Sequence, residues 1–277
     1  MPPSPQRPAP LADIGARTLV MGVLNATPDS FSDGGLFFDH SAAVRHALDM
    51  QAQGADIVDV GGESTRPGYA PIAAGEEQRR VLPLLRALAA SLSVPISIDT
   101  YKASTARLAI EAGAVIVNDV WGLQRDPGMA QIVAEHGVPV VVMHNREQID
   151  PSLDILGDML RFFDRSLAIA RRAGVRDRQV ILDPGIGFGK SGEQQLDALR
   201  RLPEIKALGF PVLVGASRKS VLGRFYLPDV LPKDRLHGTI AAHVIAIGRG
   251  ADIVRVHDVG PHVQACRVAD ALVRGRP

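Results

Sequence analysis

The sequence predicts an α/β fold, a single (β/α)8 barrel, from three observations. Eight short runs of apolar, often β-branched residues recur along the 277-residue chain. An amphipathic stretch of helical periodicity follows each run, so that strands and helices alternate and right-handed crossovers make the strands parallel. Polar residues follow the runs, as at the barrel rim where chemistry is located. An open doubly wound sheet is the alternative, but eight evenly spaced units and the missing dinucleotide-binding glycine pattern count against it.

The predicted strands are apolar at consecutive positions, as expected for parallel strands buried on both faces. They span residues 19–23, 56–60, 96–98, 115–117, 138–143, 180–182, 212–214 and 253–256. The helices are expected at residues 41–53, 76–90, 103–112, 128–136, 154–173, 194–207, 235–249 and 263–273. Five helices are expected to end at a glycine, the residue best suited to the left-handed conformation that follows a last turn. These glycines are Gly54, Gly113, Gly137, Gly174 and Gly250.

Composition and charge exclude several classes of protein. The 31 Lys and Arg residues against 30 Asp and Glu leave a formal charge of +1, which gives no global field for nucleic acid or membrane binding. The single cysteine, Cys266, excludes an intramolecular disulfide and predicts a reducing, cytoplasmic setting. Residues 1–16 begin with a proline-rich stretch and are expected to form a disordered tail, and residues 17–277 are expected to form one catalytic domain.

The stretch from Leu182 to Lys190 combines the end of an apolar run, a carboxylate and a series of glycines. This pattern predicts a buried strand that delivers Asp183 to the rim, where a tight turn lets a flat ligand approach the backbone. A phosphate-binding P-loop would need a glycine five positions before Gly189, and that position is Pro184. The stretch therefore does not predict a P-loop.

One group of polar residues at predicted strand ends suits the edge of a flat heterocycle. Carboxylates accept from ring and amino N–H groups, and an ammonium donates to a carbonyl or ring nitrogen. The members are Asp99, Asn118, Asp183 and Lys219. The alternative is a structural ion pair between Asp183 and Lys219 at the barrel top.

A second group of polar residues suits an anion such as diphosphate. Its members are Asn25, Arg66, Arg255 and His257. Arg255 and His257 alternate along the last strand and so face the same side, beside the neighbouring first strand. The alternatives are a rim salt bridge from Arg255 to Asp252 or Asp258, and a hydrogen-bonded core position for His257.

Single residues near these groups suggest further roles. A diphosphate is usually bound together with Mg²⁺, and Asn25 is the best candidate for a protein ligand of that ion. Asp29 or Asp33, on the next loop, can also reach the ion. The alternative for these two residues is a solvated turn. Ser220 offers a hydroxyl and a backbone N–H to a carboxylate, and a helix N-cap is a compatible alternative. His144 stays open between a structural and a functional role. Cys266 is expected to pack in the core.

Several segments resemble the dihydropteroate synthases of folate biosynthesis, over nearly the whole chain from about residue 18 to 272. The strongest are residues 21–35, Met-Gly-Val-Leu-Asn-Ala-Thr-Pro-Asp-Ser-Phe-Ser-Asp-Gly-Gly, and residues 59–68, Asp-Val-Gly-Gly-Glu-Ser-Thr-Arg-Pro-Gly. Supporting segments are residues 97–100, 118–119, 183–190, 217–220 and 255–259. Several long motifs in the right order are far more specific than a lone glycine motif.

The resemblance implies a transferase that condenses 6-hydroxymethyl-7,8-dihydropterin diphosphate with para-aminobenzoate, giving 7,8-dihydropteroate and diphosphate without a covalent enzyme intermediate. It implies Mg²⁺ as cofactor, a homodimer as the usual assembly, and sulfonamides as drugs that target the family. The rate acceleration would come from assisting the departure of diphosphate, because the aromatic amine is a weak nucleophile and the sequence offers no compelling base to activate it. We expect Arg255→Ala to lower kcat/KM severely and to leave pterin binding mostly intact.

The resemblance also implies a role for each candidate residue. Pterin contacts fall on Asp99, Asn118, Asp183 and Lys219. Mg²⁺ falls on Asn25, and diphosphate on Asn25, Arg255 and His257, with Asp33 and Arg66 on loops that close over the site. The aminobenzoate pocket falls on Thr65, Pro67, Phe188 and Ser220. The catalytic set is thus Asn25, Asp33, Arg66, Lys219, Arg255 and His257.

One segment departs from the family pattern. Many members follow the fifth strand with Met-His-Met-x-Gly-x-Pro, whereas residues 143–151 are Met-His-Asn-Arg-Glu-Gln-Ile-Asp-Pro, so the role of this loop stays open. Two other functions also stay open, a methyltetrahydrofolate-dependent methyltransferase and a non-catalytic pterin-binding paralogue. The loops around Asn25 and Thr65 argue against the first, and the retained Arg255 and His257 argue against the second.

Overall fold

A computed structural model of the protein describes residues 11–27, 40–63, 70–226 and 230–275. In this part of the chain, eight parallel strands are each followed by at least one helix, which confirms the predicted (β/α)8 barrel. The strands are β1 (Leu19–Asn25), β2 (Ile57–Gly61), β3 (Ile96–Asp99), β4 (Ile116–Asp119), β5 (Val140–Met143), β6 (Val180–Asp183), β7 (Leu213–Val214) and β8 (Ile253–Val256). The helices are α1 (His40–Ala52), α2 (Ala74–Ser91), α3 (Ala103–Glu111), α4 (Met129–His136), α5 (Ile155–Ala173), α6 (Gly192–Arg200), α7 (Leu202–Lys206), α8 (Ser220–Tyr226), α9 (Leu236–Gly248) and α10 (Val259–Val273).

The strands form one sheet in the order β6-β5-β4-β3-β2-β1-β8-β7. A parallel bridge between Leu182 and Val212 joins its two ends, and the backbone N–H of Leu182 donates to Pro211 O at 2.9 Å. The sheet therefore closes on itself, and the alternative of an open doubly wound sheet is wrong.

The inside of the barrel is filled by one or two side chains from each of seven strands. This inner cluster consists of Leu19, Met21, Ile57, Ile116, Val141, Ile181, Leu213 and Ile253. Because side chains alternate along a strand, the residue two positions further on also faces inward. On β2, β4, β6 and β8 those residues are Asp59, Asn118, Asp183 and Arg255. The fold thus places a polar layer next to the apolar inner cluster, on the side of the carboxyl ends of the strands.

The other face of the strands packs against the helices in a second, larger core. The predicted apolar face of α2, carrying Val81, Leu84, Leu85 and Leu88, is buried there. The five glycines predicted at helix ends all have positive φ, from 67° at Gly137 to 113° at Gly113. Cys266 is buried on α10, and burial raises the pKa of its thiol to about 12, as expected of a packing residue. No helix in the described ranges is long and apolar enough to cross a membrane.

Apart from shifts of one or a few residues at element ends, two features differ from the sequence prediction. The helix predicted at residues 194–207 is divided into α6 and α7, because Pro203 lies in the first turn of α7, where its missing N–H suits a helix start. Residues 11–16 do not belong to a disordered tail. They form turns in which Leu11 and Ile14 pack against the inner cluster, so the ordered chain begins before residue 17, and residues 1–10 lie outside the described ranges.

Candidate functional site

The polar layer inside the barrel is organised around Arg255. Its Nε donates to Asp59 Oδ2 at 2.7 Å, and its Nη2 donates to Asp99 Oδ2 at 2.8 Å. Asn118 Nδ2 also donates to Asp59 Oδ2, at 3.0 Å. Burial disfavours the charge of Arg255, but the two carboxylates outweigh that effect and raise its pKa. The sequence alternatives for Arg255 are wrong, because Asp258 pairs with Arg218 and Asp252 with Lys206.

Asp59 is a site residue that the sequence analysis missed, because it lies inside an apolar run. Its side chain is 0% exposed. A buried carboxylate needs a charged or hydrogen-bonding partner, so an aspartate in the middle of a fully buried strand was the available signal.

Several buried acceptors in this layer have no hydrogen-bond partner among the described residues. They are Asp59 Oδ1, Asp99 Oδ1 and the hydroxyl oxygen of Ser97. Each carboxylate therefore uses one oxygen for Arg255 and leaves the other for a further donor. Leaving a buried acceptor unpaired is costly, so the arrangement suits a ligand that brings N–H groups to the inside of the barrel.

Asp183 ends β6 at the edge of the same layer. Its Oδ1 accepts from the backbone N–H of Gly185 at 2.7 Å, which fixes the start of the following turn. Burial raises its pKa to about 6, against the opposing effects of that hydrogen bond and of the Lys219 charge. Burial likewise raises the pKa of Asp99 to about 7, against the opposing charge of Arg255. Both carboxyl groups thus titrate closer to neutral pH than an exposed aspartate does.

Lys219 and Phe188 face each other across the mouth of the barrel. The Lys219 ammonium lies 4.2 Å from the centroid of the Phe188 ring, a cation–π contact. Arg218, the residue before Lys219, has a left-handed φ of 58°, which is strained for a side chain of this size. Its guanidinium bonds Asp258 at two points, at 3.1 and 2.6 Å, and this pairing holds the strained turn.

His257 follows β8 beside the loop that carries Lys219. Its Nδ1 lies 2.9 Å from Ser217 Oγ, and its backbone N–H donates to the same oxygen at 3.2 Å. The two loops after β7 and β8 are therefore joined by the Ser217–His257 and Arg218–Asp258 contacts. His257 is half-buried rather than in the core.

Asn25 ends β1, where it is half-buried and in register with Gly61 of β2. Within the described ranges, no group of three or more His, Cys, Asp and Glu residues is arranged to hold a metal. One amide oxygen fits Mg²⁺, which keeps several waters and takes other ligands from substrate phosphates. The loop candidates Asp29 and Asp33 lie outside the described residues.

Thr65, Arg66 and Pro67 also lie outside the described residues, but the residues on either side of this segment are described. Glu63 accepts from Tyr101 Oη at 3.0 Å and from the backbone N–H of Ile72 at 3.3 Å. It also forms an ion pair with Lys102. Glu63 and Ile72, which lie on either side of the undescribed residues 64–69, are thus joined by a hydrogen bond.

The divergent loop after β5 is tied to its neighbours by polar contacts. Asn145 Nδ2 donates to Val120 O at 3.0 Å, and Arg146 Nη1 donates to Asp158 Oδ2 at 2.8 Å. His144 is fully buried, with Nε2 3.1 Å from Asp158 Oδ2. Burial, with a further contribution from the Lys190 charge, lowers the pKa of His144 to about 3. His144 is therefore neutral at physiological pH.

The last two predicted residues lie on the rim. Ser220 is exposed and is the first residue of α8, and Phe188 is half-buried in the turn after β6. The structure thus brings most of the predicted site residues together at the mouth of the barrel: Asp99, Asn118, Asp183, Lys219, Phe188 and Arg255. The other three lie nearby on the rim: Asn25 at the end of β1, His257 after β8 and Ser220 at the end of the loop after β7.

Comparisons with known proteins agree with this geometry. The chain matches the family described as pterin binding enzyme over residues 21–257. It is 49% identical over 264 residues to the dihydropteroate synthase of Clostridium beijerinckii, covering 95% of this chain and 97% of that protein.

Two solved structures are also similar. The dihydropteroate synthase of Clostridium difficile, determined in the presence of pteroic acid, has a TM-score of 0.91 and 51% identity, covering 95% of this chain and 99% of that one. The enzyme of Xanthomonas albilineans with 4-aminobenzoic acid has a TM-score of 0.89 and 43% identity, covering 94% of each chain. The chain therefore belongs to the dihydropteroate synthase family of pterin-binding enzymes.

Proposed function

We propose that this chain condenses 6-hydroxymethyl-7,8-dihydropterin diphosphate with para-aminobenzoate to give 7,8-dihydropteroate and diphosphate. The observation that carries the proposal is the pair of unpartnered carboxylate oxygens, Asp59 Oδ1 and Asp99 Oδ1, buried beside Asn118 inside the barrel. A pterin edge offers amino and ring N–H donors to such acceptors. The family's pterin and aminobenzoate complexes support the same assignment.

The pterin half of the reaction would use the inner polar layer. Asp99, Asn118 and Asp183 lie on three different strands, so their relative positions are set by the sheet and not by a loop. Lys219 would donate to a carbonyl or ring nitrogen of the pterin from the opposite side. This rigid set would hold the exocyclic methylene carbon at the mouth of the barrel, where the new C–N bond forms.

Departure of diphosphate would be assisted by groups at the ends of β8 and β1, which are neighbours in the sheet. His257 and Asn25 lie there, and Arg255 supplies positive charge from below. Asp33 and Arg66 would complete the catalytic set from their loops. Positive charge and N–H groups at the leaving oxygens lower the barrier to loss of the anion. The positive charge left on the methylene carbon is delocalised into the pterin beside Asp59, Asp99 and Asp183.

Asn25 would contribute its amide oxygen to Mg²⁺ bound with the diphosphate. When bound, the ion would neutralise charge on the leaving group.

The aminobenzoate would lie at the rim. Phe188 would supply an apolar wall and Ser220 a hydroxyl for the carboxylate, and Thr65 and Pro67 would complete the pocket. This position directs the amine at the methylene carbon and needs no base until the C–N bond has formed, because the ammonium that results is acidic.

The assembly would be a homodimer in the cytoplasm. Large apolar side chains are exposed on the adjacent helices α9 and α10, at Val244, Ile245, Val268, Leu272 and Val273. A second copy of the chain is the partner that the family assembly suggests for this face. The single buried cysteine suits a reducing compartment.

The test is an assay with dihydropterin diphosphate, para-aminobenzoate and Mg²⁺ in which diphosphate and dihydropteroate are measured together. Equal amounts of both products would support the synthase. Pterin binding without either product would favour a non-catalytic paralogue, and methyl transfer from methyltetrahydrofolate would favour the methyltransferase.

A further inference from the structure

The Lys190 side chain is buried beneath the turn that follows β6, and none of the roles above uses it. It is 2% exposed. Its ammonium donates to three backbone carbonyls, Gly185 O at 2.9 Å, Phe188 O at 3.1 Å and His144 O at 3.3 Å. An ammonium has three N–H donors, so these carbonyls use its whole capacity. Lys190 therefore joins two residues of the turn to each other and joins the turn to the loop after β5. Its ammonium does not point toward a substrate phosphate.

The turn that Lys190 holds is the one that presents Phe188. The Phe188 N–H donates to Gly185 O at 3.1 Å, so Gly185 O serves both the turn and Lys190. Gly185, with φ of 65°, lies so close to the His144 carbonyl that a Cβ there would overlap it. The backbone of the turn thus packs tightly against His144. The Phe188 ring, in the same turn, contacts Lys219.

We propose that Lys190 is a positioning residue for the aminobenzoate half of the site, because its buried ammonium fixes the Gly185–Phe188 turn and, through it, the Phe188 ring beside Lys219. This proposal rests on the proposed function. Asp99 and Asn118 are held by strands, so their contacts to a pterin do not depend on Lys190. The effect of losing the ammonium should consequently fall on aminobenzoate.

The direct test is Lys190→Met, which keeps the unbranched shape and most of the length of the side chain and removes its donors. With saturating pterin diphosphate, we expect the KM for aminobenzoate to rise about tenfold or more, the loss expected when hydrogen bonds from a charged group disappear. The affinity for the pterin, measured by calorimetry, should stay within about twofold. Lys190→Arg, which restores a cation and donors, should recover part of the KM.

Lys206→Met is the matched control. Lys206 pairs with Asp252, which precedes β8 at the opposite end of the barrel, so the variant loses a half-buried ionic contact without touching the turn. Its aminobenzoate KM should match that of the wild type. An unchanged KM in folded Lys190→Met, or an equal change in both variants, would overturn the proposal. An inactive wild type would instead reject the proposed function and leave the two failures distinguishable.

The wild type offers a second measurement if Lys190→Met fails to fold. Burial lowers the pKa of Lys190 to about 7. The charges of Lys219 and Arg146 lower this pKa further, whereas those of Asp183 and Asp158 raise it. His144, beside Lys190, is neutral. When the Lys190 ammonium loses a proton, a lone pair replaces one N–H donor, and one of the three carbonyls loses its hydrogen bond. The aminobenzoate KM should therefore rise as pH increases through about 7 at saturating pterin. A flat profile from pH 6 to 9 would refute the role of the ammonium.

Discussion

Arg255 Nη2 donates to Asp99 Oδ2 at 2.8 Å, although the two residues belong to strands separated by β1 and β2. The guanidinium reaches across the inside of the barrel and bonds Asp59 on the way, at 2.7 Å. A single cation thus pairs with two carboxylates in the polar layer. Its planar fork suits this double contact, which a lysine cannot reproduce.

Removing the guanidinium should destabilise the fold. Arg255→Met leaves two buried carboxylates uncompensated, and we expect a loss of about 3–5 kcal/mol in the free energy of unfolding. Asp59→Asn combined with Arg255→Met removes one of those charges, so the double variant should be more stable than the sum of the single changes predicts. Urea denaturation of the four proteins in the cycle measures this coupling. Additive losses would show that the pair is not coupled.

The same contact changes what is expected of pterin binding. From sequence alone, Arg255 was assigned to diphosphate, and Arg255→Ala was expected to leave pterin binding mostly intact. Because Arg255 holds Asp99, we now expect pterin affinity to fall about tenfold or more in Arg255→Lys, together with kcat/KM. Calorimetry with a pterin that lacks the diphosphate isolates this effect. Unchanged affinity for that ligand would restrict Arg255 to the diphosphate.

The barrel could be predicted because its strands are continuous apolar runs and its helices have a clear period. The site residues at strand ends, such as Asp99 and Asp183, could be predicted because a polar residue directly follows a run. Asp59 was missed, because an apolar run that contains one carboxylate still predicts a strand, although the need of a buried carboxylate for a partner was a signal that it belongs to the site. The role of Lys190 could not be predicted, because its three carbonyl partners come together only when the loops after β5 and β6 pack against each other.

A third prediction concerns Mg²⁺. If Asn25 supplies one oxygen to the ion, Asn25→Ala should raise the Mg²⁺ concentration needed for half-maximal turnover about tenfold, because the other ligands come from water and diphosphate. A chelator should stop turnover and leave the circular dichroism spectrum unchanged, since no buried structural metal is expected. Full turnover in the presence of chelator would reject the metal requirement.

The apolar face of α9 and α10 predicts the oligomeric state. Ile245 is 59% exposed and Leu272 is 81% exposed, so their replacement by aspartate has little effect on the core. If this face joins two copies, Ile245→Asp with Leu272→Asp should weaken the dimer about a hundredfold or more, since each buried side chain contributes about 1.5–3 kcal/mol. Light scattering after size-exclusion chromatography gives the mass. Ile149, 58% exposed in the loop after β5, supplies the control Ile149→Asp, which should remain dimeric.

The buried histidines predict how stability depends on pH. The backbone N–H of Ala216 donates to His243 Nε2 at 3.0 Å, so that nitrogen carries no proton. Protonating it would break this bond just before the loop that carries Ser217 and Lys219. Burial, together with the neighbouring His262, lowers the pKa of His243 to about 3. In the unfolded chain a histidine has a pKa of about 6.5.

Between these two pKa values the unfolded state binds a proton that the folded state does not. The stabilisation is therefore complete above about pH 6.5 and is lost as pH falls toward about 3. The slope should reach about 1.4 kcal/mol per pH unit for His243, with a similar contribution from His144. His243→Gln, whose amide oxygen can still accept from Ala216, should show a shallower fall in the free energy of unfolding between pH 6.5 and 4. His136→Gln on the exposed end of α4 should keep the wild-type slope, and identical slopes in all three proteins would refute the role of His243 in acid sensitivity.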